Sequence, residues 1–455
     1  MSILVHASRV LAVLATLALS ACASYSPNYE ALQQTAYGND TPLPIDADIA
    51  ELIQFAQSHH PSVLAATAQL ERARAASVSA GAFADPELSI SQGLNDADYF
   101  TLGLSQEIPI FNRRGMSIEQ AKSSELAAKA RLTQVRAEIA ANVVQAFSEY
   151  LYVLENQALQ RDLVQLLEQF SSIAEQSYAA GDVAMADLLR AQNALDEARS
   201  EYDNLQAMRF SQRARLNSAL GRDARAELHG DYALEVSHRE FAHLPAPPDE
   251  LYEQLKENNP ALLALRAEVK SLVVAQDIAN TSGLPRLMIG AEYMNTDMAS
   301  DTVAGMLSVS LPIWRANYRA QREAAEADLA SGLHELEASE LAIQAELSMA
   351  LYQWQDAERN RVLYGDVLIG RAEQAVASSL SNYQSGSASF TDVITSQQEW
   401  LSFALAHRRA MANQLAAVAT IHALMPTLPL PAETPAEAEL SATSVEVISV
   451  EVKDE

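Results

Sequence analysis

Residues Tyr178–Gln192, YAAGDVAMADLLRAQ, and Tyr383–Gln397, YQSGSASFTDVITSQ, share one frame, Tyr-x-x-Gly-x-x-x-x-x-Asp-x-x-x-x-Gln. The frame sets Gly181 against Gly386 and Asp187 against Asp392. Working outward, Ile108-Pro109-Ile110-Phe111 returns as Leu311-Pro312-Ile313-Trp314. Further upstream, His60-Pro61-Ser62-Val63-Leu64-Ala65 returns as Asn259-Pro260-Ala261-Leu262-Leu263-Ala264. Three matches in one order, at a nearly constant separation, mean that a unit of about 200 residues has been duplicated.

Within the first unit, Pro61–Ala84 reads as a helix with proline in its first turn, and Asp85-Pro86 breaks it. The period then changes to two. Leu88, Ile90 and Leu94 alternate with polar residues, Asn95–Asp98 makes a turn, and Phe100, Leu102, Leu104 and Ile108 alternate with Thr101, Gly103, Ser105 and Glu107. Each strand is close to the roughly 9–11 residues that a tilted strand needs to cross a bilayer. From Met116 to Ala180 there is neither glycine nor proline, and Leu132, Val135, Ile139, Val143, Phe147, Tyr150 and Leu154 recur at helical steps. This long helix turns back at Gly181, and a returning helix runs from Ala184 to Leu220. The second unit repeats the order. Its helix is Pro260–Ser282, its strands Leu287–Tyr293 and Val303–Leu311, its long helix Arg315–Tyr383 and its returning helix Ser389–Met425. Opening and returning helices placed end to end match the long helix, as in the wall of a tube. Four half-apolar strands cannot close a barrel alone, since the smallest bacterial outer-membrane barrels have about eight. Open edges are not tolerated in lipid. Three chains would pool twelve strands.

Residues 1–21 hold Arg9, no acid and an apolar run from Val10 to Leu19, which reads as a secretory signal. The run ends in Leu19-Ser20-Ala21-Cys22, which resembles a bacterial lipobox and implies a covalent lipid on Cys22; the plainer reading is an ordinary cysteine after an ordinary cleavage site. Cys22 is the only cysteine, so an intrachain disulfide is excluded. A net charge of −28 argues against nucleic acid as a partner. It fits either a solvated periplasmic surface or a cation-tolerant lumen. The expected organisation is a signal (1–21), a lipidated extended segment (22–47), a first repeat (48–221), an equatorial linker (222–258), a second repeat (259–425) and a disordered acidic tail (426–455). The linker is expected to be irregular apart from a helix over Asp249–Asn258.

A helix, a hairpin, a very long helix, a glycine turn and a returning helix, duplicated behind a lipobox, resemble the outer-membrane efflux protein family, the TolC-like channels. The resemblance covers about residues 50–425. Asp85-Pro86-Glu87-Leu88-Ser89 and Gln106-Glu107-Ile108-Pro109 look most like its heavy-metal branch. It implies a mainly α fold with a small β part. In that fold a homotrimer builds a periplasmic α-barrel and a twelve-strand outer-membrane β-barrel, set in outer-membrane lipid. The implied function is a passive conduit fed by a periplasmic adaptor and an inner-membrane pump of the RND type. It places Gly181 and Gly386 at the periplasmic tip where the adaptor docks, and makes Asp187 and Asp392 candidates for the pore constriction. A carboxylate at either position could equally cap its own helix. The alternative function is a periplasmic coiled-coil scaffold or adaptor lipoprotein. No catalytic residue, metal site or cofactor other than the lipid is expected. His59-His60 reads as structural, because adjacent helical residues do not share a face. The methionines are scattered without a stripe. Trp314, Tyr99 and Phe100 fall near strand ends, at a lipid interface or in a core.

Overall fold

The computed structural model describes Leu43 and residues 47–92, 99–181, 183–230, 232–296, 301–385 and 387–426. The signal, Cys22, most of segment 22–47, the Asn95–Asp98 turn, Gly386 and the tail beyond Pro426 lie outside the described residues.

A helix not foreseen from the repeat motifs opens the first unit, α1 (Ile49–His59). Its start was legible, because Asp48 and Glu51 form a reciprocal capping box. Next comes α2 (Pro61–Ala80), which stops short of Ala84. Arg114 Nε donates to the Gly81 carbonyl at 2.7 Å and its guanidinium lies over the Phe83 ring, so the chain is held out of the helix before Pro86. The strands β1 (Glu87–Gln92) and β2 (Tyr99–Ile108) follow, then α3 (Arg113–Ala180) and α4 (Met185–Ala219). At 68 residues, α3 spans about 100 Å.

The linker is less irregular than its composition suggests. It contains α5 (Leu234–Phe241) before α6 (Pro248–Asn258). The first helix is held from outside: Glu155 accepts the Leu234 N–H at 2.8 Å, and His238 bonds Gln414 at 2.5 Å. The second unit then runs α7 (Pro260–Thr281), β3 (Leu287–Thr296), β4 (Thr302–Val309), α8 (Arg315–Val362), a π-helical turn (Leu363–Leu368), α9 (Ile369–Gln384) and α10 (Phe390–Leu424). The expected unbroken helix from Arg315 to Tyr383 is therefore interrupted. A Cβ on Gly365 would lie 2.4 Å from His407 Cε1, and His407 Nδ1 bonds the Arg361 carbonyl at 3.1 Å. The inserted ring occupies the space that a regular turn with a side chain would need.

Returning and opening helices meet at matched joints. His60, the N-cap of α2, accepts the Ser62 N–H on Nδ1 at 3.1 Å and also bonds the main chain of Ser218 near the end of α4. Asn259, the N-cap of α7, accepts the Leu262 N–H at 3.0 Å and donates to the Leu424 carbonyl at 2.9 Å. Gly221, at φ 73°, lets the chain pass His60; a Cβ there would sit 2.9 Å from the His60 Cα. His59 stacks on Phe55 instead, so the two adjacent histidines are structural and point to different neighbours.

The largest core lies where these joints meet the long helices, with Leu52, Ile53, Phe147, Leu151, Leu216, Leu234 and Leu415 fully enclosed. A second core around Leu251, Leu255, Leu262, Leu347 and Ile421 does the same for the other unit. Arg409–Glu149 (2.5 Å) and Arg408–Glu155 (2.9 Å) tie α10 to α3 across the two units.

Candidate functional site: a two-faced sheet and a helical tip

All four strands form one antiparallel sheet in the order β1-β2-β3-β4, so the two hairpins join through β2 and β3. The register sorts the side chains. Leu88, Leu104, Ala291 and Gly305 form one cross-strand row, and Ile90, Leu102, Tyr293 and Val303 the next. Ile289 and Leu307 pair on the same face. The opposite face carries the rows Glu87, Ser105, Gly290, Met306 and Ser89, Gly103, Glu292, Ala304, with Glu107 opposite Met288. Along β2, burial is the reverse of that in a soluble sheet. Thr101, Gly103 and Ser105 are buried, whereas Leu102 and Leu104 are exposed, and Val303 and Leu307 stand 73% and 68% open. An apolar outer face around a polar inner one is the pattern of a membrane strand, where lipid is the solvent. The inner face is acidic, with Glu87, Glu107 and Glu292 and no Lys, Arg or His in any described strand. It also gathers Met288, Met294 and Met306, three methionines that look scattered until the register is known. No described helix is long and apolar enough to cross a membrane.

At the other end, α3 stops because Gly181 takes φ 83° and its N–H bonds back to Ser177 and Tyr178. A side chain would be strained at that angle. Phe390 packs edge-on against Phe170 at 5.6 Å and meets Tyr383 at 6.0 Å, joining the two hairpin ends in a small core with Leu188 and Ala191. Asp187 does not act as a side-chain cap. The N-cap of α4 is Ala184, and the Asp187 carboxylate pairs with Arg190 at 3.1 Å. Arg190 also reaches Thr391 at 3.4 Å, so one guanidinium links the first-unit hairpin to the second. Asp392 does cap. It sits third in α10, and its Oδ2 accepts from the Ser389 N–H (2.9 Å) and hydroxyl (2.8 Å), which hold its carboxyl below the ordinary range. Of the two repeated glutamines, Gln192 donates to Glu175 across the hairpin at 3.2 Å, and Gln397 lines a groove between α3, α4 and α10 with Gln160, Leu167 and Leu401. Sequence motifs pointed to the tip. The Arg190–Thr391 bridge carried no signal, because it joins residues far apart in the chain. Among the described residues no group of three or more His, Cys, Asp or Glu could hold a metal ion.

The sequence model of the outer membrane efflux protein family matches residues 52–222 and 251–426. The cobalt-zinc-cadmium resistance protein CzcC of Cupriavidus metallidurans is 22% identical over 422 residues, covering 89% of this chain and 97% of that protein. Among solved structures, the outer membrane protein VceC of Vibrio cholerae superposes with a TM-score of 0.70 at 20% identity, over 83% of this chain and 96% of that one. CusC does so with a TM-score of 0.71 at 17% identity, over 84% and 93%.

Proposed function

Because the chain belongs to the outer membrane efflux protein family, we propose that three copies close their four-stranded sheets into one twelve-strand barrel. The chain is the outer-membrane channel of a tripartite efflux system and extends into the periplasm. The observation that carries the assembly is the sheet itself. Its apolar side chains face outward, Thr101 and Ser105 of β2 are buried on the opposite face, and β1 and β4 keep one edge each without a partner strand among the described residues. Unpaired edges are costly in lipid, so the sheet must close with other copies. Mass measurement of the detergent-solubilised complex tests this: a trimer supports it, and a stable monomer or dimer overturns it.

In this reading the acidic inner face, repeated three times, favours cations, and metal cations of the kind named for the CzcC relative are the cargo. An adaptor and an RND-type pump deliver it to the tip formed by the Gly181 and Gly386 turns. There Asp187 and Asp392 recur as rings, and the Arg190–Thr391 link holds the narrow state. Cys22 carries a lipid that adds a second anchor to that of the barrel. Palmitate labelling in growing cells checks the anchor, and a label that survives Cys22→Ser would refute it.

A further inference from the structure

The apolar face of β4 does not end with the strand. Val303, Leu307 and Val309 are exposed, and the alternation continues through Leu311 (78% open) and Ile313 to Trp314 (73% open). The next residue begins α8 with Arg315, and Arg319 and Arg322 follow at helical spacing, so the three share one side of the helix. All three are exposed. The Arg315 and Arg319 side chains have no hydrogen bond, ion pair or ring contact among the described residues, and that of Arg322 makes only a long 3.4 Å bond from Nε to the Tyr318 carbonyl. Their acidic neighbours Glu323 and Glu326, one turn further along α8, form no ion pair with them.

The first unit uses its arginines differently at the same joint. Arg113 donates to the Thr281 hydroxyl and carbonyl at 3.2 and 2.8 Å, and Arg114 donates to the Gly81 carbonyl. Those two hold the strand-to-helix turn together. The side chains of the second unit's three bond to no other element of the chain among the described residues, although the protein as a whole is strongly acidic. A shallow cleft lined by Ile313, Trp314, Arg315, Ala316 and Asn317 lies where the apolar face meets the basic one.

We propose that Arg315, Arg319 and Arg322 bind the phosphate headgroups of anionic phospholipids in the periplasmic leaflet, with Trp314 seated at the level of the headgroups. The inference rests on the reading of the sheet as membrane-spanning. That reading makes the strand-to-helix junction the periplasmic boundary of the bilayer. Charge complementarity then selects the lipid: guanidinium groups pair with phosphate, and an aromatic ring is favoured where an apolar surface meets water. A zwitterionic headgroup offers the same phosphate but cancels its charge, so the net attraction belongs to anionic lipid.

Quenching of tryptophan fluorescence by brominated acyl chains tests this. The full-length channel is reconstituted in phosphatidylcholine bilayers containing either brominated phosphatidylglycerol or brominated phosphatidylcholine at equal mole fraction. The Trp314→Phe variant supplies the background from Trp354 and Trp400. The expected result is an apparent affinity for phosphatidylglycerol about fivefold or more above that for phosphatidylcholine. It should fall toward one in high salt and in the Arg315→Gln/Arg319→Gln/Arg322→Gln variant. Equal quenching of the unmodified channel by both lipids overturns the proposal, and so does a preference that persists in the triple variant. No Trp314-dependent quenching by either lipid overturns the membrane-spanning reading as well. The wild-type and salt measurements decide the matter even if the triple variant fails to assemble.

Discussion

Asp392 has two oxygens in different circumstances. Oδ2 takes both bonds from Ser389, while Oδ1 accepts none among the described residues. The cap strengthens the ionised form, so its contribution persists above the ordinary carboxylate value of about 3.9 and is lost only as pH falls through the lower folded value. Asp392→Asn keeps an acceptor at this position but removes the charge. If the ring matters, planar-bilayer recordings of this variant should show weaker block by divalent cations. A block unchanged in Asp392→Asn leaves the residue as a cap alone. His60 is a second test at this scale. Burial lowers its pKa, a bond to the Ser218 main chain opposes the shift, and no charged side chain contributes. Only the neutral ring can accept the Ser62 N–H. The unfolded chain therefore binds the proton first, and stability falls as pH drops below about 6.5, levelling off once the folded pKa is passed. Asn259 makes the equivalent joint without a titrating group. His60→Asn should preserve stability at pH 7.5 and lose less between pH 7.5 and 5 than the wild type, measured by thermal unfolding. An unchanged pH slope would show that His238, His407 and His422, also lowered by burial, carry all of it.

Two glycines separate the elements of the second long helix. Gly365 sits in the π-helical turn under the His407 ring, whereas nothing lies within 4 Å of a Cβ placed on Gly370. Gly365→Ala must expel the ring or straighten the turn, at a cost of about 1–3 kcal/mol of overpacking. Gly370→Ala should be neutral or stabilise by up to about 1 kcal/mol through helix propensity. Thermal unfolding of the two variants should therefore move in opposite directions, or at least differ clearly. If Gly365→Ala is as harmless as Gly370→Ala, the turn is not held open by His407. The same contrast explains why the interruption could not be read in advance: Gly332, Gly365 and Gly370 look alike in the sequence. Gly332 instead admits Leu272, whose Cδ1 would lie 2.6 Å from an added Cβ.

For the assembled channel, the inner face of the barrel would carry Glu87, Glu107 and Glu292 from each chain, with no cationic side chain on the described strands. Rings of carboxylates raise the local cation concentration. The reversal potential in a potassium chloride gradient should therefore lie on the potassium side of zero. Glu87→Gln/Glu107→Gln/Glu292→Gln should bring it closer to zero. A wild-type channel without selectivity would remove the acidic-lumen reading while leaving the barrel intact.

The duplication, the strand segments and the long helices were legible because their signals are local. Alternation at Val303, Leu307 and Val309 needs only neighbours two residues apart, and the glycine-free, proline-free run of α3 needs only propensity and a seam of three- and four-residue steps. The capping box that opens α1 was equally local. By contrast, α5 is eight residues long with no side-chain cap, and it depends on Glu155 and Gln414 from other elements. Pairing of β2 with β3, the shared face of Met288, Met294 and Met306, and the reach of Arg190 to Thr391 were decided by the tertiary structure. The physical reason is one of range. Periodicity and turn chemistry act over a few residues, whereas register and polar partners are chosen between segments of two repeats that meet only when the chain has folded.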